Sequence, residues 1–220
     1  MLNIEAIRRV AWENMGTRRV HKEREIGYIY YHGLRTANIA GEILYLVHGK
    51  REDFDEIMFT GSLFHDVGKG FGIHNEAGAA IARHLLGDLC AQDKLDKICK
   101  IVRLHCIRDH RLDFSNQIRA VQDADIIDHY GTQQIWLGIS RAAHHGETSA
   151  DILGHWSGDE FRNHLDELRE LLNFQESLSI FNERIDSARQ FIDRFRVESE
   201  GRLFAGPIGE DRGSGGSPDP

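Results

Sequence analysis

The distribution of proline is the feature of this sequence that most restricts its fold. The chain has 220 residues and three prolines, Pro207, Pro218 and Pro220, so the first 206 residues contain none. Proline is excluded from helix interiors because it has no N–H donor, and it is common in turns. The long proline-free stretch therefore argues against a chain built from many proline-rich turns, and it is compatible with a succession of helices.

Hydrophobic periodicity predicts helices along this stretch. Apolar residues recur at helical spacing, and strand-like alternation of useful length is not found. The predicted helices cover residues 2–15, 31–48, 53–66, 75–86, 92–107, 115–129 and 132–145. Gly49 and Gly146 follow the second and seventh of these as typical helix-ending residues. The predicted fold class is all-α.

Beyond about residue 158 the apolar residues form two narrow seams. Four residues between Phe161 and Leu172 are spaced 4-3-4, and six residues between Leu178 and Phe195 are spaced 3-4-3-4-3. We interpret residues 159–200 as a helical hairpin that packs on a domain formed by residues 1–158 or, alternatively, mediates homodimerisation. Residues 201–220, rich in Gly, Ser and Pro, are predicted to be a disordered tail.

Charge and composition exclude several classes of protein. The chain has 27 basic and 35 acidic residues, a net charge of −8, which disfavours nonspecific nucleic-acid binding. No apolar run is long enough for a membrane span, and the N-terminus lacks the apolar region of a signal peptide. Three cysteines without a C-x-x-C pair indicate reduced thiols. These features predict a cytoplasmic protein with no membrane partner.

Histidines and aspartates that interrupt apolar helical faces, or adjoin them, are the strongest functional signal. Six such residues stand out: His32, His65, Asp66, His74, His105 and Asp125. A polar group on a buried face needs a partner, and neutral imidazoles with carboxylates form a typical mixed site for a divalent transition metal. Helical bundles commonly place such sites between facing helices. A metal ion would also allow an acidic protein to bind an anionic substrate.

The order of these residues resembles that of the HD-domain superfamily of metal-dependent phosphohydrolases. The resemblance covers roughly residues 28–146. It rests on His32 in YYHGLRTANIAGEIL, His65-Asp66 in LFHDVGKG and Asp125 in VQDADIIDHYG, and extends to HNEAGAAIARHLL, IVRLHC and GISRAAHHG. It implies an all-α HD-domain helical bundle, to which the C-terminal helices would form an extension.

The resemblance also implies a set of metal ligands. His32, His65, Asp66 and Asp125 would bind one divalent ion, such as Mn, Mg, Fe, Co or Ni. Two further histidines would bind a second ion bridged by Asp66, or would contact phosphate instead: His74 and His105.

Helical geometry gives different roles to the two aspartates near Asp125, which are Asp123 and Asp128. Asp123 points about 200° away from Asp125 on a helix, so we choose Asp125 as the ligand. Asp128 lies one turn beyond Asp125 and is placed to orient a ligand from behind.

The implied reaction is attack of a metal-activated water on a nucleotide or a small phosphate ester, with Asp66 and Lys69 as catalytic residues. Lys69 would bind phosphate or stabilise the leaving group, or else be a solvated loop lysine. Arg35 and Arg141 are further substrate-binding candidates. Arg35 has the alternative of facing solvent, and Arg141 has only the resemblance in its favour.

Two other functions stay open at this stage. A minority of HD relatives use two iron ions to activate oxygen, and the complete set of six ligands is compatible with such a di-iron oxygenase. The other alternative is a non-catalytic helical scaffold that binds through its C-terminal seam. The intact ligand set argues against it, because a site without function has no physical need for buried carboxylates.

Overall fold

The computed structural model describes residues 1–49, 55–109 and 111–203, and within these ranges the regular structure is entirely α-helical. The predicted all-α class is confirmed. The helices of the described ranges are α1 (Ile4–Met15), α2 (Tyr28–His48), α3 (Glu56–Phe64), α4 (His74–Leu86), α5 (Gln92–Leu104), α6 (Asn116–Asp128), α7 (Thr132–His145), α8 (Ser149–Ser157), α9 (Asp159–Leu171) and α10 (Gln175–Ser199).

Helix boundaries differ from the prediction at two places that matter for function. Helix α3 ends at Phe64, two residues earlier than predicted, because the chain turns tightly there and the Val67 N–H donates to the Phe64 carbonyl. The His65-Asp66 pair therefore lies just beyond the helix. Helix α5 ends at Leu104 rather than at residue 107, so His105 also follows a helix end.

Helix α8 was not predicted. It is nine residues long and begins with a capping box, in which the Thr148 hydroxyl and the Asp151 carboxylate each bond the backbone N–H of the other residue. Side chains also cap the start of α3, at Asp55, and of α6, at Ser115. The His65-Asp66 pair follows α3, and Asp125 lies on α6. Each such cap stabilises its helix by about 1 kcal/mol.

The core of the N-terminal part is built by α2, which packs against α3 and α6, and by α5, which packs against α3 and α4. Glycine permits the closest of these approaches. A Cβ atom at Gly33 on α2 would lie 2.4 Å from the Leu63 carbonyl oxygen on α3. A Cβ atom at Gly61 would lie 2.8 Å from the Ile101 side chain on α5. His32 precedes Gly33 and His65 lies two residues after Leu63, so the close approach of α2 and α3 brings the two histidines together.

The C-terminal hairpin formed by α9 and α10 packs on the same body. Leu165 and Phe181 are buried in one apolar cluster with Ile118 and Val121 of α6. Within the described ranges, no helix combines the length and the apolar character needed to cross a membrane. The predicted disordered tail falls outside the described residues from position 204 onward.

Candidate metal centre

Four of the predicted ligands lie together between α2, the end of α3 and α6. The Nε2 atom of His32 is 3.1 Å from Nε2 of His65 and 3.1 Å from Oδ1 of Asp125. The Oδ2 atom of Asp66 is 3.6 Å from Nε2 of His65 and 3.8 Å from Nε2 of His32. Four potential ligand atoms from three parts of the chain thus surround one point.

The second oxygen of Asp66 faces a different pair of histidines. Its Oδ1 atom is 3.6 Å from Nε2 of His105 and 3.9 Å from Nε2 of His74, and the two nitrogens are 3.3 Å apart. His74 begins α4 and His105 follows α5. Asp66 therefore lies between two ligand groups, with one carboxylate oxygen directed to each.

The hydrogen bonds of the histidines test whether this cluster suits a metal. His32 donates from Nδ1 to Asp128 at 2.7 Å, His65 to the Ser62 carbonyl at 2.6 Å and His105 to the Val102 carbonyl at 2.7 Å. An imidazole that donates from Nδ1 has its lone pair on Nε2, which is how outer partners orient metal ligands. In the neutral imidazoles the nitrogens that face the cluster are therefore acceptors, and a cation between them fits this donor set.

The electrostatics of the cluster also favour a cation. Burial acts to lower the pKa of His32, but its hydrogen bonds to Asp125 and Asp128 outweigh burial and raise the pKa to about 9. Burial acts in the opposite sense on Asp66 and Asp125, yet the neighbouring histidines hold the pKa of both carboxyl groups below their usual range. The carboxylates stay ionised and surround the imidazoles with negative charge.

Arg35 lies behind this centre rather than in it. Its Nε and Nη2 atoms donate to the two oxygens of Asp128 at 2.7 and 2.9 Å, and Asp128 in turn accepts from His32. The side chain is only 30% exposed. The structure does not bring Arg35 among the ligand atoms, and it pairs the guanidinium with a carboxylate.

Lys69 lies on the loop after α3, at the edge of the cluster. Its Nζ atom is 3.6 Å from Oδ1 of Asp66, and its side chain is 32% exposed. Arg18 braces this loop by donating to the carbonyls of Val67 at 2.8 Å and Lys69 at 2.6 Å, and its guanidinium stacks on Phe71. Sequence reasoning missed Arg18, because nothing in the local pattern links it to a loop some fifty residues away.

A cavity of about 850 Å³ opens beside the centre, with Asp125 in its wall. Arg141 lines it and pairs with Glu147 at 2.8 Å. Arg24, which the sequence analysis did not identify, also lines it, and its buried Nη1 atom has no hydrogen-bond partner among the described residues. The apolar part of the lining is rich in aromatic rings: Tyr130, Trp156 and Phe161.

Three other residues lie close to the ligand atoms. The Tyr28 ring stacks on His32 with centroids 5.5 Å apart. His129 donates from Nδ1 to the Asp125 carbonyl at 2.8 Å. The Sγ atom of Cys106 lies within 4.8 Å of ligand nitrogens of His74 and His105. His110 lies outside the described residues.

Comparison with known proteins identifies the fold. Residues 29–132 match the family model of the HD domain. Residues 29–132 thus form an HD domain, as the order of the histidines and aspartates predicted. No curated protein matches the sequence.

Solved structures with the same fold cover nearly the whole chain. Bacillus subtilis YpgQ in complex with ADP is 18% identical, with a TM-score of 0.59 over 89% of this chain and 98% of that one. A Lactobacillus plantarum protein is 16% identical, with a TM-score of 0.57 over 91% of this chain and 100% of its own. The Listeria innocua protein Lin1889 is 17% identical, with a TM-score of 0.57 over 91% of this chain and 98% of that one. At these identities the similarity shows the fold alone.

Proposed function

We propose that this HD-domain protein is a metal-dependent phosphohydrolase and that its substrate is a nucleotide. The observation that carries the proposal is the position of Asp66, whose two oxygens face two separate histidine pairs. His32, His65, Asp66 and Asp125 would hold one divalent ion. His74, His105 and the second oxygen of Asp66 would hold another. When bound, such ions would neutralise phosphate oxygens and supply an activated water as the nucleophile.

Side chains at the rim of the centre would bind the rest of the phosphate. Lys69 lies beside Asp66, where a compact cation suits a phosphate oxygen or a leaving group. Arg24 lines the cavity as well, where its guanidinium would pair with a phosphate oxygen. Arg141 in the same wall adds a second guanidinium.

The size and lining of the cavity support a nucleotide over a smaller ester. Small-molecule sites of roughly 300–1,000 Å³ usually combine an apolar lining with a few polar groups. This cavity holds about 850 Å³, and three aromatic rings line the space that a base would occupy: Tyr130, Trp156 and Phe161. The ADP complex of Bacillus subtilis YpgQ shows that a protein of this fold binds a nucleotide.

The first test is elemental analysis of the purified protein paired with a screen for release of phosphate or pyrophosphate. The screen covers nucleotides and simple esters with Mn, Mg, Co, Ni and Fe. We expect bound divalent metal and turnover of at least one nucleotide class. Turnover of simple esters alone would contradict the nucleotide assignment, and absence of metal-dependent hydrolysis of any substrate would contradict the function.

A substitution in the cavity tests the nucleotide assignment more directly. Trp156→Ala removes a ring that lines the cavity, so we expect KM for the nucleotide to rise while the rate with p-nitrophenyl phosphate stays unchanged. Trp136→Ala controls for the loss of a tryptophan outside the cavity, and circular dichroism checks that the Trp156 variant folds, because Trp156 is buried in an apolar cluster. Equal effects on both substrates would show that the ring does not bind the base.

The same preparation tests the oxygenase alternative, because Asp66 between two histidine pairs would also suit two iron ions. Iron in the purified protein with substrate-dependent oxygen consumption would support that reaction. Hydrolysis under anaerobic conditions with manganese or magnesium would exclude it.

A further inference from the structure

We propose that Cys106 is a ligand of the second metal position, where its thiolate joins His74, His105 and one oxygen of Asp66. The inference rests on the metal centre of the proposed function and adds a sulfur donor to it. Cys106 does not belong to the six residues that the sequence pattern identified. Its assignment comes from the position of its side chain in the fold.

The backbone turn after α5 brings the thiol to the centre. His105 follows Leu104 with φ −57° and ψ −33°, and the Ile107 N–H donates to the Leu104 carbonyl, so the chain makes a tight turn there instead of extending. Adjacent side chains in such a turn are only about 100° apart around its axis, so the ligand atoms of both residues can lie near His74. The Nε2 atoms of His74 and His105 are 3.3 Å apart, and the ligand atoms of all three residues lie within 4.8 Å of one another.

The position is also open enough for the thiol to move inward. Cys106 is only partly buried, and a single torsion angle places its sulfur. In a four-coordinate site with metal–nitrogen bonds of about 2.0 Å and metal–sulfur bonds of about 2.3 Å, neighbouring ligand atoms lie roughly 3.5 Å apart. Rotation of the Cys106 side chain would have to bring its sulfur closer to the two nitrogens when the ion binds. On binding, the thiol releases its proton to solvent, since the thiolate is the ligand form.

A sulfur donor makes the two metal positions chemically different. The first position offers two imidazoles and two carboxylates, a set that suits manganese, iron and other divalent ions. The second position would offer two imidazoles, one carboxylate oxygen and one thiolate. Thiolate favours zinc, iron and cobalt over magnesium and manganese. We therefore expect the second position to discriminate against the harder ions.

The other cysteines provide matched controls within the same chain. Cys99 is buried in the apolar core beside Ile98 and Val102. Cys90 is partly buried like Cys106, but it follows α4 and packs against the core. Among the described residues, neither belongs to a group of side chains that could hold a metal.

Cobalt provides a readout that does not depend on turnover. The metal-free full-length protein is titrated with Co²⁺, and thiolate-to-cobalt charge-transfer absorption in the near ultraviolet is recorded. We expect this band to grow with the second equivalent, to disappear in Cys106→Ser and to persist in Cys90→Ser. We also expect Cys106→Ser to lose about tenfold or more of its affinity for the second cobalt, comparable to the effect of removing an outer partner of a metal ligand.

A second measurement uses the native side chain and therefore does not depend on the folding of a variant. The wild-type protein is treated with iodoacetamide with and without cobalt, and alkylation at each cysteine is quantified by mass spectrometry. We expect metal to protect Cys106 and to leave the alkylation of Cys90 unchanged. Equal alkylation of Cys106 with two cobalt ions bound would overturn the inference, as would a band that persists in Cys106→Ser.

These outcomes separate the thiolate from the proposed function. A band that depends on Cys106, in a protein that hydrolyses no phosphate substrate, would support the ligand and contradict the phosphohydrolase. Hydrolysis with two ions bound and no charge-transfer band in the wild-type protein would support the phosphohydrolase and contradict the Cys106 ligand. A wild-type protein that binds no cobalt would contradict both.

Discussion

His32 donates its Nδ1–H to the Oδ2 atom of Asp128 across 2.7 Å, and both side chains are almost completely buried. This contact directs the Nε2 atom of His32 at Asp125 and His65, at 3.1 Å from each. Arg35 in turn binds both oxygens of Asp128. A series of three side chains thus holds in place the His32 nitrogen that faces the cluster, and only Arg35, the last of the three, reaches the solvent.

Breaking this contact should weaken the metal centre without removing a ligand. Asp128→Asn cannot offer the same two charged oxygens to His32 and Arg35, so we expect metal affinity to fall by about 10–100-fold. Titration calorimetry with Mn²⁺ measures the change. Asp96→Asn is the control, because Asp96 pairs with Arg83 on the surface. Unchanged affinity in Asp128→Asn would show that the contact does not orient His32.

The raised pKa of His32 predicts how the metal-free protein responds to pH. The value rises from 6.5 to about 9 on folding, so the protonated form stabilises the folded state. This contribution is fully present below pH 6.5 and is lost as the pH rises to about 9. We expect the free energy of unfolding to fall over this window by at most about 3.5 kcal/mol. Urea unfolding at several pH values tests this, and a flat profile would contradict it.

The same titration predicts the effect of metal. A bound ion occupies the place of the proton on His32, so saturating metal should remove the loss of stability between pH 6.5 and 9. Metal affinity itself should rise with pH over the same window. Unfolding curves with and without Mn²⁺ compare the two states. If the metal-bound protein still loses stability between pH 6.5 and 9, the group that titrates is not His32.

Removing the shared carboxylate should abolish both metal binding and turnover. Asp66 faces both histidine pairs, so Asp66→Ala leaves each position short of one ligand. We expect no stoichiometric metal by elemental analysis and no phosphate release above background. Asp96→Ala serves as the control for the loss of a carboxylate. Metal-dependent turnover that survives in Asp66→Ala would refute the assignment of the centre.

Lys69 should act on the substrate rather than on the metal. Its ammonium lies beside Asp66 but contributes no ligand, so Lys69→Ala should keep its metal content while turnover falls by about 10²-fold, as when one charge-stabilising donor is removed. Elemental analysis and kcat measured on one preparation separate the two effects. If metal loading falls in step with turnover, Lys69 belongs to the scaffold.

Asp123 should matter for stability and not for metal binding. Its carboxylate accepts from the backbone N–H groups of Asn173 and Phe174 in the turn between α9 and α10. Asp123→Ala leaves these donors unpaired, and we expect a loss of about 2–4 kcal/mol in the free energy of unfolding. Chemical denaturation measures it, and metal stoichiometry should stay unchanged. A fall in stoichiometry would mean that the hairpin supports the metal centre.

Helical spacing predicted the relationships that lie along one helix. It assigned Asp125 and not Asp123 to the centre, and the structure turns Asp123 toward the C-terminal hairpin. It also placed Asp128 one turn from Asp125, where Asp128 contacts His32. These predictions needed only the angle between successive residues. The ends of α3 and α5 were harder, because tight turns continue the helical pattern past the last helical residue.

Contacts between distant parts of the chain could not be predicted, because they leave no local pattern in the sequence. Arg18 binds a loop some fifty residues away, and Arg24 reaches the cavity from the segment before α2. Cys106 is distinguished from the other cysteines only by the turn that follows α5. Helix α8 is short, and its capping box is a weak signal in an unaligned sequence. Each of these features depends on the assembled fold.

The close approach at Gly33 links metal chemistry to the spacing of two helices. A methyl group there would meet the Leu63 carbonyl oxygen at 2.4 Å, so α2 would have to move away from α3 and carry His32 away from His65. The separation of the two imidazoles is therefore determined by main-chain contact rather than by side-chain adjustment. An alanine at this position would therefore disturb the packing of α2 on α3 and the spacing of the two imidazoles together.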